Sequence, residues 1–526
     1  MQKTSLNWDK TQEQDVITAP AYLEVKLTVT DPELYGAAEA SVTGEEEFYS
    51  NVKTLLNDTD ILTQKIMTCE HNLCILSGGF TAVNREPPHE KNGYIGTQIS
   101  AEDGSYESPP VITIELPKTF TTLLEGVSIA WGTAYDAECA DTFKVTVYSG
   151  TNVVMEKTVS GNRDKVSQIS YELESYSKVT VEIQKWSLPG RRPRVAYILL
   201  GIEHTYLRES VTKYSHAMEC DLLSNELPTV DISFEVDNLD MTFDPDNDTG
   251  LSKYLMTRQR VATRYGYTMN GRIEVVKGGI AYLDDWETPR NSVTAKFKAS
   301  SLLTFMDDKF TGTATSSTTL YDLTVMALES SQIPPLQSGE VPWLIDDALR
   351  ELKVPTNADL KNYTNAQIVQ LAANAACCIV YQSRDGVLHV EPYTLPGEIQ
   401  SEVSTHYQFG YPQTSLSQPL KQIRVNDDYL LSVAENGVTK EIKNPLIASG
   451  KEAAVATWAR DILLNRQSLN GECRIDPKVD ILDSVNIDTP FRTNRAILTY
   501  VGITFNGAFR GKYEGTVFPI TEVAEK

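Results

Sequence analysis

Apolar and polar residues alternate most regularly between residues 222 and 306. Val230, Ile232, Phe234 and Val236 are interleaved with Asp231, Ser233, Glu235 and Asp237, the period of two that marks a half-buried strand. Val261 and Ala262 lead into a second strand, Arg264-Tyr265-Gly266-Tyr267. Asn270-Gly271 then predicts a turn, because Asn-Gly readily takes positive φ. Residues 273–276, 280–283 and 293–297 read as further strands, with Gly278-Gly279 as a turn or bulge. Five short strands so close together predict a small antiparallel barrel or sandwich.

Strand patterns continue on the N-terminal side. Residues 22–29 alternate within a largely polar N-terminal segment, 1–90. Residues 91–205 carry apolar strands at 111–116, 127–131, 143–148, 153–159, 179–183 and 196–202. Polar turns at Ser149-Gly150, Gly161-Asn162 and Pro189-Gly190 separate them, the spacing of a β-sandwich. From 311 to 395 the period lengthens. Leu320, Leu323 and Ala327 share a helical face. Pro342 stands as a first-turn proline ahead of Leu344, Ala348, Leu349 and Leu352. Thr364 and Gln367 form a capping box before the stripe Ile368, Leu371, Ala372 and Ala375. A hairpin follows around Arg384-Asp385-Gly386. Residues 396–526 return to strands, interrupted by one helix with a Ser449/Glu452 capping box and the stripe Val455, Trp458, Ala459, Ile462 and Leu463. The expected architecture is mainly β and multidomain. Two small β-barrels (206–310, helped by a strand from 1–90, and 396–526) flank an α/β unit at 311–395, and a β-sandwich is inserted at 91–205.

Composition narrows the function. The net charge of −24 argues against a protein that grips nucleic-acid phosphates. No apolar run approaches the ~18 residues of a membrane span, and the polar start Met1-Gln2-Lys3-Thr4-Ser5 has no signal-peptide core. The chain is therefore expected to be made in a cytoplasm and carried out by something larger. The seven cysteines are odd in number and lack a Cys-x-x-Cys, which fits reduced, buried thiols rather than a disulfide framework or zinc site. The adjacent Cys377-Cys378, set among apolar residues, read as core.

Candidate chemistry is sparse. Trp131, Tyr135 and Trp186 with Arg191, Arg192 and Arg194 have the residue types of a stacking-plus-donor glycan site. The alternative is that the tryptophans pack in the sandwich core and the arginines pair with the chain's own carboxylates. Asp244, Asp246 and Asp248 invite a metal test. An EF-hand begun at Asp244 would need Gly at its sixth position and Glu at its twelfth, where Thr249 and Leu255 stand, so an acidic turn leading into a helix-like 251–258 is favoured. His71 has no nucleophile placed beside it. There is no Gly-x-Ser-x-Gly, no His-Glu-x-x-His and no Cys with a paired His, so no enzyme and no cofactor are expected.

The order of motifs resembles the hub of phage tail tips and baseplates, in the version found in tailed phages of Gram-positive bacteria. The shared stretches are Leu227-Pro228, Phe234-Glu235-Val236-Asp237-Asn238, Phe243-Asp244-Pro245, Tyr265-Gly266, Leu371-Ala372-Ala373-Asn374-Ala375 and, most specific, Phe505-Asn506-Gly507-Ala508-Phe509. A segment at 68–80 resembles the hub's lead-in to an inserted domain. Residues 91–205, with Trp131-Gly132 and the closing 194–202 run, resemble the galactose-binding-like (discoidin-type) jelly roll.

The resemblance implies a structural virion protein, assembled in the host cytoplasm. It implies a homotrimer whose paired barrels form a pseudo-sixfold ring. That ring would join a tail tube or distal tail protein to a threefold tip or receptor-binding proteins. DNA would pass through without specific binding, past an acidic wall. Host cell-surface carbohydrate is the alternative partner, through the jelly roll. Many members carry lytic domains after the hub, whereas this sequence stops soon after its second β unit, at Lys526.

Overall fold

The computed structural model describes residues 2–34, 38–47, 50–52, 55, 56, 68, 70, 93–132, 138–289, 293–315, 317–335, 341–356, 358–393 and 399–518. Tyr135, His71, Cys69, Cys74 and most of the 68–80 segment lie outside these residues.

The organising alternation forms the strands its period predicts. Thr229–Asp237 pairs on one side with Thr294–Ser300 and on the other with Val211–Glu219. Arg260–Met269 and Arg272–Glu287 make the hairpin expected at Asn270-Gly271, whose φ values of 51° and 74° are both positive. Gly278-Gly279 is a bulge, not a turn. The strand runs unbroken from Arg272 to Glu287, and the register shifts between Thr263 and Arg264. A Cβ on Gly279 would lie 2.9 Å from the His216 ring, so only glycine leaves room for that side chain. Ala21–Val29 enters as an inner strand, between Ile202–Leu207 and Arg260–Met269.

The two expected barrels are not closed. Among the described residues their strands form one open 13-stranded sheet, ending at Ile202–Leu207 on one side and Gln413–Leu416 on the other. The reason is Val211–Glu219. Instead of closing the first unit, it pairs with Thr493–Phe505 of the second, from Tyr214↔Phe505 to Glu219↔Tyr500. Both units consequently share one core, in which Phe234, Val261, Tyr265, Phe297, Val485, Val501 and Phe509 are all buried.

The sandwich has two sheets. Glu39–Val42, Val111–Phe120, Tyr176–Trp186, Ala140–Ser149 and Asn152–Val159 form one. Tyr94–Ile95, Arg194–Leu200, Leu124–Trp131 and Val166–Leu173 form the other. Its first strand is contributed from within 1–90, and Ile202–Leu207 already belongs to the large sheet.

The middle unit packs helices Leu320–Ser330 and Asn365–Ala375 beside a three-stranded sheet of Trp343–Ile345, Leu388–Glu391 and Ile379–Gln382. Thr364 caps its helix reciprocally with Gln367, as the sequence predicts. The helix expected after Pro342 is instead a short strand and a 3-10 turn, Asp347–Glu351. Trp343 pairs in parallel with Leu388, and Asp346 caps the turn. Nor is there a Ser449 capping box. A turn in which Gly450 has φ 85° intervenes, and helix Glu452–Leu463 starts after Lys451 without a side-chain cap. That helix and the strands Leu420–Val425, Tyr429–Ser432 and Val438–Ile442 share a core with the middle helices. Three buried amide contacts tie this layer together. Asn374 Nδ2 donates to Leu223 O at 2.8 Å, and Asn444 Nδ2 donates to Asn374 Oδ1 at 2.8 Å and to Leu371 O at 2.7 Å.

Candidate functional site at the joint between the two β units

Two stretches that stand out in the sequence, Arg264-Tyr265-Gly266-Tyr267 and Phe505-Asn506-Gly507-Ala508-Phe509, meet at the joint. Gly507, with φ 79°, turns the hairpin and brings Phe505 opposite Phe509. The Phe509 ring then lies edge-on to Tyr265 at 5.5 Å and to Tyr267 at 5.8 Å. Beneath the rings sits a buried polar chain. The hydroxyls of Tyr214 and Tyr265 are 2.6 Å apart, and the Tyr265 hydroxyl is 2.7 Å from His216 Nδ1. Burial, aided by the nearby Arg384 charge, pushes the His216 pKa down to about 3, so the ring stays neutral and acts as a hydrogen-bonding spacer.

Arg384 completes the joint. Its hairpin projects from the middle unit, and Nη1 donates to Lys277 O at 3.1 Å and to Pro477 O at 2.7 Å, while Nη2 donates to Val479 O. Nε lies 3.5 Å from Asp480 Oδ2. One buried guanidinium thus touches the first unit and the second from the third. Sequence reasoning missed this role, because an arginine beside Asp-Gly reads as an exposed turn residue. The N-terminal helix Leu6–Gln12 adds a strap. Trp8 Nε1 donates to Asp476 at 3.0 Å, its ring lies edge-on to Tyr267, and Arg474 donates to the Gln12 and Asp15 carbonyls.

Of the candidate glycan residues, the two tryptophans lie inside the sandwich. Trp131 and Trp186 are 0% and 2% exposed and lie edge-to-face at 6.2 Å, inside the sandwich. Trp131 also donates to Ser167 Oγ at 2.9 Å. Neither ring is open to stack on a sugar. Arg191 pairs with Glu138 at 3.0 Å, Arg192 with Glu47, and Arg194 with Glu70 and Glu138. The arginines therefore meet the chain's own carboxylates, as the alternative anticipates.

Asp244, Asp246 and Asp248 do not converge on a cation. Among the described residues no group of three or more His, Cys, Asp or Glu side chains is arranged to hold a metal. Asp244 Oδ1 instead accepts from Asp246 N at 2.9 Å, and Asp240 Oδ1 from Thr242 N at 3.1 Å, local turns that shape the loop. The helix expected at 251–258 is only a 3-10 turn, Ser252–Tyr254. Burial raises the Cys377 thiol to about 11 and those of Cys220, Cys378 and Cys473 to about 12, so none is a ready nucleophile.

No family model matches the sequence, and no curated protein matches it. Solved structures with partial similarity include phage tail proteins and a carbohydrate-binding module. The 43 kDa tail protein of prophage MuSo2 from Shewanella oneidensis is 10% identical, with a TM-score of 0.39 over 60% of this chain and 94% of its own. A tail protein from Neisseria meningitidis MC58 is 11% identical, with a TM-score of 0.41 over 60% and 93%. For the inserted sandwich, the family 32 carbohydrate-binding module of C. perfringens NanJ, solved with galactose, is 12% identical. Its TM-score is 0.21 over 34% of this chain and 99% of the module.

Proposed function

We propose that this chain is a tail-tip or baseplate hub of a phage or phage-like particle, of the kind found in tailed phages of Gram-positive bacteria, and that it performs no chemistry. The observation that carries the reading is the aromatic joint. The most specific hub-like motif, Phe505-Asn506-Gly507-Ala508-Phe509, packs against the Tyr-Gly strand of the first unit, where the two β units share one sheet and one core. Three such pairs side by side form a pseudo-sixfold ring that faces a sixfold tail tube or distal tail ring. The middle unit and sandwich face the tip or receptor-binding proteins.

In this reading the N-terminal segment lends strands to its neighbours, and the sandwich at 91–205 acts as spacer or docking surface. The acidic balance lines the ring's inner wall, where DNA passes without being held. Assembly takes place in the host cytoplasm, and the mature location is the virion tail.

The test is absolute mass in solution, alone and mixed with tail-tube and distal-tail proteins. A trimer, or a trimer captured by one of those partners, supports the hub. A stable monomer that ignores both and binds cell walls replaces it with an adhesin.

A further inference from the structure

The far edge of the second unit carries an apolar groove with basic walls on a strongly acidic chain. A cavity of about 480 Å³ there is lined by Leu416, Leu464, Arg466, Arg492, Arg495 and Phe518. Leu416, on the terminal strand of the sheet, is 67% exposed, and Phe491, on the hairpin tip beside Arg492, is 95% exposed. Arg466 donates to Ser417 O at 2.9 and 2.7 Å and Arg492 to Gln467 Oε1 at 2.8 Å, all neutral acceptors. Neither arginine meets a carboxylate among the described residues.

A loop of the first unit carries the complement. The loop after Thr229–Asp237 presents Asp237, Asp240, Asp246 and Asp248 to solvent, with Leu239 and Met241 68% and 62% exposed between them. Phe243 of this loop packs 6.3 Å from Tyr206 on Ile202–Leu207, the other terminal strand. No lysine or arginine pairs with these four aspartates among the described residues. The apolar, acidic projection belongs to the first unit and the apolar, basic groove to the second. A contact between them is heterologous and head-to-tail, the kind that closes into a ring.

We infer that the groove at 416, 464–466 and 491–495 receives the acidic loop 237–248 of a second copy of this chain. The inference rests on the hub reading and names the surface through which its copies join. Burying Phe491, Leu416, Leu239 and Met241 supplies the apolar core of the contact. The aspartate–arginine pairs set its register and make it salt-sensitive.

The test uses the full chain at up to about 100 µM, with oligomeric mass read by light scattering and folding by near-ultraviolet circular dichroism. The variants are Arg466→Glu with Arg492→Glu, Asp240→Lys with Asp246→Lys and Asp248→Lys, and all five changes in one chain. Each reversal alone should weaken assembly by about 100-fold, and the five together should restore it to within about 3-fold. Phe491→Ser, which leaves charge unchanged, should weaken it as well. A chain ending at Phe518 should assemble like the full chain. If assembly strengthens about 10-fold on that truncation and no longer responds to the aspartate changes, the groove's occupant is residues 519–526 and the inference is wrong. A wild-type trimer indifferent to every reversal overturns this surface and leaves the hub standing. A wild-type monomer overturns the self-contact, and the hub then turns on the mixtures with tail proteins.

Discussion

Replacing Arg384 by Met tests whether one side chain locks three units together. Methionine keeps an apolar stem of similar reach and removes the guanidinium. The carbonyls of Lys277, Pro477 and Val479 lose their donor, and Asp480 loses its counter-charge. A hydrogen bond from a charged donor contributes about 1.5–3 kcal/mol, and such bonds on one group are not additive. Asp480, at 20% side-chain exposure, regains water and adds little. The expected loss is about 4 kcal/mol, within the about 3–5 kcal/mol typical of breaking a buried charged network.

In a chain of several units a single melting temperature would blur this effect. Hydrogen exchange resolved by peptide does not, because local opening reports local free energy. At about 1.4 kcal/mol per tenfold, protection across residues 272–287 and 476–488 should fall roughly 1000-fold. Peptides across 111–186 of the sandwich should be unchanged. Arg384→Lys keeps the charge but lacks the planar fork, and should recover less than half of the loss. If the joint peptides of the Met variant keep their protection within about 3-fold, the clamp is wrong and the aromatic contacts alone hold the units.

Two further outcomes follow from the same joint and one from the middle layer. The His216 pKa is about 3 folded against about 6.5 unfolded, so the unfolded chain binds the extra proton as pH falls. Stability should drop by about 1.4 kcal/mol per pH unit between about 6.5 and 3, and His216→Gln should flatten that slope. Because burial raises the carboxyls of Asp476 and Asp483, with the opposite sign, the measurement is the difference between wild type and variant in urea titrations at several pH values. Phe509→Ala removes the ring on Tyr265 and Tyr267 and should cost about 3–5 kcal/mol in joint protection by exchange. Asn374→Ala leaves Leu223 O and an Asn444 amide proton without partners and should cost about 2–4 kcal/mol, read as lost protection in residues 365–375 and 442–447.

Strands and helices with a clean period were legible. The alternation from Val230 to Val236, the Asn270-Gly271 hairpin and the Thr364/Gln367 cap rest on local rules, and tertiary contacts do not oppose them. Sheet closure was not legible. Whether Val211–Glu219 seals its own unit or bridges to another depends on Thr493–Phe505, and nothing in either stretch names its partner. The Pro342 segment misled because Leu344, Ala348 and Leu352 fit a helical stripe, while the parallel partner at Leu388 decided the outcome. Trp131 and Trp186 illustrate the limit for sites. Residue type suits both a sugar platform and a core, and only burial separates them. Arg384 gave no signal at all, since its three acceptors are backbone carbonyls from remote segments.

The inner position of Ala21–Val29 has a consequence for how the molecule is made. This apolar strand leaves the ribosome well before its partners at 202–207 and 260–269. At translation rates of about 5–20 residues per second, it waits roughly 10–40 s without a neighbour. Trp8 waits longer still, because Asp476 lies 468 positions downstream. With contacts this remote in sequence, the core cannot be completed before the strand Phe509–Val517 has been made. During that interval Leu23, Val25, Leu27 and Val29 need shielding from other nascent strands, and expression yield should respond to chaperone supply more than to the stability of the finished fold.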